Sequence, residues 1–510
     1  MAELVAGIQH IRDGIEASTA LNADMSVIGV IGTAPDADAT VFPLNTPVHL
    51  FTNDAAKRLK LGDGTLEDAL KGISAQLAAS SAAASVVVVR VEAGASDAAT
   101  IANIVGSEAS GTGIWAFLDA PEALGITPRL LIAPGFTSQQ LSGLASLTLT
   151  NPGASLTEAP TVSFTGGGSG AGKVLPTAHA VLGTGADAGK VVSLVVDTPG
   201  VNISGSLTVV FAGGGADENK VLPAATATIE QLGNAVCANV VTVAERLRAR
   251  FLPDGPTGSA AEALSWLETL PRSAHIIHPL RQVAKVLDET GNLVLKPLSP
   301  YIIALYARRD AEADGAPAFS IANQQIYGVS GIEPRIPFSI TDANNQGQTD
   351  IGNGFGIVFR GDTGVDGSLT DGGYTFWGTD TLSDESAWQF VHVNRLRDYL
   401  ELYQVKTLRG YLGKYNITVA LVQAVVNTLE SKLRDMRNRD FLLGYRISFS
   451  PTDNKADQIR LGYINITFEA EEPPVLRKIT LRSRRYAAAL ESLVASIAIA
   501  IGSDGTITSA

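Results

Sequence analysis

The sequence predicts a multidomain α+β protein in which an α/β layered domain carries an inserted all-β domain and is followed by a smaller α+β domain. Patterns typical of buried strands alternate with amphipathic helix patterns through most of the first 310 residues. A tandem repeat interrupts this alternation at residues 146–230. Two long helix patterns followed by strand patterns then occupy residues 376–486.

The composition limits the classes of protein to consider. At 510 residues the chain is too long for one hydrophobic core, so we expect several domains. Its formal net charge of −13 argues against broad binding to nucleic acid or anionic membranes, because both need a basic surface. No apolar run is long enough to span a bilayer, and the N-terminus lacks a signal-peptide pattern. The single cysteine, Cys237, excludes an intrachain disulfide, so we expect synthesis in a reducing cytoplasm.

The α/β domain is predicted in two pieces, residues 23–145 and 231–375. Continuous β-branched runs indicate strands covered on both faces, and apolar residues at helical spacing indicate the helices between them. The strand runs are MSVIGVIGTA (25–34) and SVVVVRV (85–91), and the helix patterns are GTLEDALKGISAQLAA (64–79) and LGNAVCANVVTVAERLRAR (232–250).

Residues 146–230 contain a sequence duplication. SLTLTNPG (146–153) resembles SLVVDTPG (193–200), and PTVSFTGGG (160–168) resembles LTVVFAGGG (207–215), each pair being offset by 47 residues. Within each copy, alternating strand patterns are separated by glycine turns. We therefore expect this segment to be a duplicated all-β insertion.

The first copy of the repeat contains GGSGAGKV (167–174), which differs at one position from a phosphate-binding loop. Val174 stands where the loop needs a hydroxyl for magnesium, and Pro176 makes the required helix unfavourable. The second copy has Asn219 in place of Gly172. We therefore interpret the segment as a β-hairpin turn and expect no nucleotide cofactor.

Other motifs with chemical potential are incomplete. His275 and His278 are separated like a metal pair but have no further ligands, so they are interpreted as structural. The calcium-like loop DANNQGQTDIGN (342–353) ends in Asn353, which cannot supply the bidentate carboxylate that calcium needs. Cys237 is interpreted as a small core residue. We predict that the protein is not an enzyme and has no metal or cofactor. The alternative is an α/β enzyme with an unrecognised active site and a β-repeat carbohydrate-binding module.

The C-terminal domain is predicted from two helices and three strands. The helices cover 386–412 and 417–439, and the strands cover 444–450, 462–474 and 476–486. The second helix ends in four basic residues, Lys432, Arg434, Arg437 and Arg439. Cations at a helix C-terminus favour the helix dipole, so these residues could be a solvated helix end or a binding face.

The two ends of the chain predict extended arms, residues 1–22 and 487–510. IAIAI at 497–501 alternates strictly, which predicts a strand that pairs within its own sheet or with a sheet edge of another subunit. The residues assigned to such strands are Ile8, Ile11, Ile497, Ile499 and Ile501.

Several stretches, in order, resemble the contractile tail sheath proteins of bacteriophages and phage-like tailocins. The resemblance covers nearly the whole chain except 146–230. It rests on STALNADMSVIGVIGTAPDADATVFPLNTPVHL (18–50), VVVVRVEAG (86–94), PRLLIAPGF (128–136), YTFWGTDTLSD (374–384) and ITFEAEEPPVLRKITLR (466–482).

The resemblance implies a structural role. Sheath proteins stack as hexameric rings around a tail tube and contract without nucleotide, driving the tube through the host envelope for genome ejection. It implies as partners other copies of the chain, the tail tube protein, and baseplate and tail terminator proteins, with no direct nucleic-acid contact and no membrane insertion. It places the protein in the virion tail, assembled in the host cytoplasm.

The same resemblance assigns roles to the predicted domains. Residues 376–486 would be the inner, tube-facing domain, with Lys432, Arg434, Arg437 and Arg439 as candidate tube contacts. The arms at 1–22 and 487–510 would tether neighbouring subunits, and the insertion at 146–230 would protrude from the outer surface.

Overall fold

The computed structural model describes residues 24–80, 82–169, 173–271, 274–362, 364, 366–370 and 372–501. The chain divides into two compact units, Met1–Pro473 and Pro474–Ala510. The described strands are β1 (Ile28–Thr33), β2 (Pro47–Phe51), β3 (Ser85–Val91), β4 (Leu130–Ile132), β5 (Leu141–Asn151), β6 (Thr161–Gly166), β7 (Thr177–Leu182), β8 (Val191–Thr198), β9 (Leu207–Ala212), β10 (Ala224–Leu232), β11 (Arg250–Phe251), β12 (Val283–Leu287), β13 (Leu293–Pro297), β14 (Gln324–Ile326), β15 (Gly331–Glu333), β16 (Ile357–Arg360), β17 (Tyr374–Trp377), β18 (Gly444–Ser448) and β19 (Thr467–Glu471). The described helices are α1 (Ala55–Leu59), α2 (Thr65–Leu77), α3 (Asp97–Val105), α4 (Ala120–Leu124), α5 (Ala235–Leu247), α6 (Ala260–Glu268), α7 (Ser299–Ala311), α8 (Gln346–Gly352), α9 (Val391–Leu408), α10 (Val419–Asn438), α11 (Ala456–Arg460) and α12 (Ala487–Ile501).

A five-stranded sheet in the order β11-β4-β1-β3-β2 lies at the centre of the first unit. β1 runs parallel to both β3 and β4, and β2 pairs antiparallel to β3 at one edge. Successive side chains of a strand point to opposite faces, so the continuous valine run of β3 is buried on both sides. Val86 and Val88 pack with α2 and α7, whereas Val87 and Val89 pack with α3 and α5. The predicted α/β layering is therefore present around this sheet.

Strands β5 to β10 form one six-stranded sheet in the order β5-β10-β9-β6-β7-β8. Leu141 of the first strand pairs with Leu232 of the last, so the insertion leaves and rejoins the core at adjacent points and spans 141–232. The third strand of each repeat pairs with the first strand of the other. The registers match too: Ala178 pairs with Val196, and the residues equivalent to them by the 47-residue offset, Ala225 and Leu149, also pair. The repeats are thus related by a pseudo-two-fold axis.

The C-terminal part of the first unit contains α9, α10 and the antiparallel pair β18–β19. Leu396, Leu400, Leu433 and Met436 of the two helices form a core against which the inner face of the strand pair packs. The prediction of two long helices and an antiparallel pair in this region is confirmed.

The second unit contains no strand among its described residues. Residues 474–486 have neither helix nor strand, and 487–501 form α12. The predictions of strands at 476–486 and 497–501 are therefore wrong for the single chain. Alanine, which has the highest helix propensity, makes up six of the fifteen residues of AAALESLVASIAIAI, whereas a strand needs a hydrogen-bonding neighbour that the described part of this unit does not offer. Ile497, Ile499 and Ile501 lie on this helix, while Ile8 and Ile11 lie outside the described residues.

Candidate assembly surfaces

The lysine of the phosphate-loop-like segment is bound to the backbone of its own turn. Lys173 Nζ donates to the carbonyl oxygens of Gly166 (3.0 Å) and Gly168 (2.7 Å). In the second repeat, Lys220 Nζ donates to the carbonyl oxygen of Gly215 at 2.5 Å. Glycines 166–168 all have φ between 79° and 87°, a region that suits glycine alone, and the next regular element is the strand β7. Residues 170–172 lie outside the described residues, and the described residues on either side of them lead from β6 into β7, in agreement with the interpretation as a hairpin turn.

Replacing Lys173 with Met is expected to loosen this turn without unfolding the protein. The change removes two charge-assisted hydrogen bonds at an exposed site, each contributing about 1 kcal/mol net. Amide hydrogen exchange of residues 166–168 should become about tenfold faster for each 1.4 kcal/mol lost. Lys190→Met is the matched control, because the Lys190 ammonium lies 4.0 Å from Asp187 in an exposed pair of the same domain. Equal exchange rates in both variants would contradict the assigned role of Lys173.

The two histidines of the metal-like pair have separate surroundings. His278 is fully buried, its Nδ1 lies 2.6 Å from the Tyr306 hydroxyl, and burial lowers the pKa of His278 to about 3. His275 lies in a short 3₁₀ turn, and burial also lowers its pKa. Across the described ranges, no group of three His, Cys, Asp or Glu side chains is arranged to hold a metal ion. His278 is a neutral core residue.

The remaining chemical candidates are also structural. In the calcium-like loop, the Asn345 side chain caps α8 by accepting from the amide of Gln348 at 2.9 Å. Cys237 is buried on α5, and desolvation raises the pKa of its thiol, so little reactive thiolate forms. In the described part of the chain, no helix is long and apolar enough to cross a membrane.

A row of ion pairs joins α9 to the α/β core. Arg395, Asp398 and Glu401 are spaced three residues apart and therefore lie along one side of the helix. Arg395 pairs with Asp310 of α7, Asp398 with Arg250 of β11, and Glu401 with Arg248. Burial falls along the row, from 1% side-chain exposure for both members of the first pair to 37% and 39% for the last. The row therefore attaches α9 to the core through three ion pairs whose solvent exposure increases from Arg395 to Glu401.

The four basic residues at the end of α10 do not form one surface. Lys432 is buried, with its Nζ 4.9 Å from the ring centroid of Tyr403 and 5.4 Å from that of Tyr399, and burial lowers its pKa. Arg439 donates to Asp314 and to the carbonyl oxygen of Ala313. Arg434 and Arg437 are the exposed members. Lys432 therefore lies away from the surface, whereas Arg439 is partly exposed and Arg434 and Arg437 are more so.

The strand pair β18–β19 is a two-stranded sheet with open edges. Among the described residues, neither strand has a second neighbour. Tyr445, Ile447 and Phe468 pack inward against the helical core. Arg397 fixes the end of the pair by a bidentate bond to Glu472 at 2.7 and 2.8 Å. A strand pair that has no further strand beside it among the described residues is suited to accept an added strand.

The second unit exposes apolar and basic side chains together. Residues 474–486 contain five Arg or Lys residues and no Asp or Glu. Leu476, Ile479 and Leu481 in this segment are 71%, 69% and 88% exposed. No side chain of α12 is buried, and Ile499 is 84% exposed. Contiguous apolar surface of this kind marks an interaction site in soluble proteins.

The chain is similar in sequence to tail sheath proteins. A prophage major tail sheath protein of Pseudomonas aeruginosa (strain UCBPP-PA14) is 28% identical over 246 residues, which cover 47% of this chain and 59% of that protein, less than two thirds of its length. The tail sheath protein of Escherichia phage P2 is 23% identical over 511 aligned residues, covering 98% of this chain and 99% of that protein. No family model matches the chain.

The fold resembles that of a solved contractile sheath. The helical sheath of the anti-feeding prophage (AFP) in its contracted state superposes with a TM-score of 0.55 at 14% identity, covering 95% of this chain and 100% of that one. The resemblance to contractile tail sheath proteins is confirmed by sequence and by fold. Because the relatives are structural sheath proteins, the prediction that this chain is not an enzyme is confirmed as well.

Proposed function

We propose that this relative of tail sheath proteins is the structural subunit of a contractile tail sheath. Copies would polymerise as stacked hexameric rings around a tail tube, and contraction would drive the tube through the host envelope for genome ejection. The observation that carries the proposal is the similarity to the phage P2 tail sheath protein over 98% of this chain. The apolar and basic surface of residues 474–501, which a single chain leaves in water, supports it.

The copies are linked, in this proposal, by strands lent across subunit boundaries. The open edges of β18–β19 supply the acceptor, and residues 474–486 of another copy supply one donor. The donor segment has no helix or strand of its own, and an extended segment of this kind can add a strand to the edge of a sheet. A strand of about five residues adds four or five hydrogen bonds at about 0.5–1.5 kcal/mol each, which is several kcal/mol per link before ordering costs.

The remaining assignments follow the same proposal. Residues 376–486 would form the inner domain, with 1–22 and 487–510 as tethering arms and 141–232 as an outer protrusion. Arg434 and Arg437 are the exposed candidates for tube contact. The tail tube, baseplate and terminator proteins would be partners in the virion tail, after assembly in the host cytoplasm. Energy would be stored during assembly, without use of nucleotide.

Electron microscopy of the purified protein tests the proposed function directly. Hollow helical tubes or contracted sheaths are the expected particles. A monodisperse monomer that turns over nucleotide would overturn the proposal and favour the enzyme alternative. The tubes should also withstand addition and removal of nucleotide without changing length.

The carbohydrate-binding alternative gains no support from the insertion. Its aromatic residues, Phe164 and Phe211, are only 6% and 8% exposed. Sugar rings are commonly held against exposed aromatic faces, and the hydroxyl-rich outer side of this sheet offers none. The insertion is better explained as a surface protrusion.

Excising the insertion is expected to preserve folding and sheath assembly. Leu141 and Leu232 are cross-strand partners, so a short Gly-Ser linker between residues 140 and 233 spans the gap without moving the core. Asn234 holds both flanks by donating to the carbonyl oxygens of Phe136 and Gln139 at 3.0 and 2.9 Å. Thermal unfolding of the remaining core should shift by only a few degrees. Loss of sheaths in a variant that still folds would show that the insertion is an assembly element.

A further inference from the structure

The first described residues of the chain pass from one hydrophobic core to another within three positions. Met25 is 1% exposed and packs with Leu396 and Leu433 in the core of α9 and α10. Ile28 is fully buried in the core between the central sheet and α7, and it begins β1. The chain therefore enters the central strand of the large sheet directly from the core of the C-terminal helices.

The crossing point is held by the most deeply buried ion pair of the α9 row. Arg395 donates to both carboxylate oxygens of Asp310, at 2.9 and 2.5 Å, and its Nη2 also donates to the carbonyl oxygen of Met25 at 3.1 Å. The Ser26 hydroxyl donates to Asp310 Oδ2 at 3.1 Å. Arg395 of α9 thus holds the backbone of Met25, Asp310 of α7 holds the side chain of Ser26, and the two charged residues bind each other.

Neighbouring bonds extend this hold over four successive residues. The carboxylate of Asp24 accepts from the amide of Ser26 at 3.0 Å. The carbonyl oxygen of Val27 accepts from the amides of Arg129 and Leu130 at 2.9 and 3.2 Å. The guanidinium of Arg395 also lies 4.8 Å from the ring centroid of Tyr306, which keeps it in place. A pull on the chain at residue 24 therefore loads bonds to α7, α9 and β4 together.

We propose that Arg395, Asp310, Ser26 and Met25 form a mechanical anchor that transfers load from residues 1–23 into both halves of the first unit. The inference rests on the proposed function, in which the terminal segments tether neighbouring copies. Because the anchor contacts α7 and α9 at once, tension from a tether is shared between the α/β core and the C-terminal helices. The α/β core and the C-terminal helices then move as one body when neighbouring copies shift.

Arg395 acts in this anchor as a positioning residue. Its planar fork binds two carboxylate oxygens and one carbonyl oxygen in fixed directions, whereas a lysine ammonium is a point charge without that geometry. Arg395→Lys keeps the charge that Asp310 needs but loses the simultaneous hold on Met25. Ser26→Ala removes one bond to the carboxylate and leaves the ion pair intact.

Single-molecule pulling on the full chain tests the anchor without requiring a sheath. One handle is attached at the N-terminus and the other at a cysteine introduced by Leu59→Cys, a site that is 83% exposed, while Cys237 stays buried and unreactive. Arg395→Lys should lower the first rupture force about twofold, because the fork is lost, and Ser26→Ala should lower it less. Glu401→Gln, which alters an exposed pair in the same row, should leave it unchanged.

The outcomes separate the anchor from the proposed function. Wild-type rupture forces in both Ser26→Ala and Arg395→Lys would overturn the anchor, and Ser26→Ala keeps the test valid if Arg395→Lys folds poorly. Sheath formation is scored separately by electron microscopy of the same proteins. Absence of sheaths in the wild-type protein would overturn the proposed function, whatever the pulling result. If sheaths form, contracted Arg395→Lys sheaths should break into shorter pieces, whereas Glu401→Gln sheaths should stay continuous.

Discussion

Removal of residues 487–510 is expected to leave a folded protein that cannot form stable sheaths. The described part of this segment, helix 487–501, buries no side chain, so its loss removes no core packing. Unfolding of the first unit should therefore change by less than about 0.5 kcal/mol, as for other surface changes. The same helix carries Ile497, Ile499 and Ile501 at 47%, 84% and 43% exposure, and this apolar surface must be covered in an assembly.

Sedimentation and electron microscopy distinguish the outcomes of this truncation. The truncated protein should remain as small soluble species under conditions in which the full chain forms tubes. Ile499→Asp in the full chain is a second variant, because it keeps the length but places a charge on the most exposed of the three isoleucines. Excision of residues 141–232 is the matched control for loss of surface residues. A truncated protein that still contracts as a continuous cylinder would show that the arm proposal is wrong.

Patterns that depend on burial were predictable from the sequence. The valine run of β3 and the apolar side of α10 are found where the sequence periodicity predicts them. Each packs against core residues of the same chain, so burial alone determines the pattern. IAIAI at 497–501 has an equally strict alternation, yet it is helical in the single chain. Alternation predicts a strand only when a partner strand is present, and in its absence the helix propensity of the surrounding alanines and leucines decides.

The candidate surfaces were less predictable, because they depend on contacts between distant residues. Lys432 belongs to a basic sequence cluster, but Tyr399 and Tyr403 of the preceding helix enclose it. The ion-pair row joins α9 to Arg248, Arg250 and Asp310, which are remote in sequence. The spacing of Arg395, Asp398 and Glu401 at every third position was the available signal for a charged helix side facing the core. The partner residues could not be inferred from it.

Replacement of Arg250 with Met is expected to destabilise the first unit by about 3–5 kcal/mol, the range for breaking a buried ion pair by removing one partner. Arg250 Nη2 lies 2.6 Å from Asp398 Oδ2, and the two side chains are only 2% and 15% exposed. Desolvation lowers the pKa of Arg250, which reflects how costly the charge is without its carboxylate partner. The variant removes the guanidinium that Asp398 Oδ2 contacts and leaves this carboxyl group, at the α9–core contact, without its ion-pair partner. The free energy of unfolding in urea measures the loss.

Arg248→Met is the matched control, because Arg248 lies two residues away and pairs with the same helix. Arg248 and Glu401 are 2.5 Å apart but 37% and 39% exposed, so water screens the pair and its loss should cost only about 0–1 kcal/mol. Asp398→Asn in the Arg250→Met background should recover part of the stability, since it removes the uncompensated carboxylate. Equal losses for Arg248→Met and Arg250→Met would mean that burial does not set the strength of the row. The graded attachment of α9 described above would then be wrong.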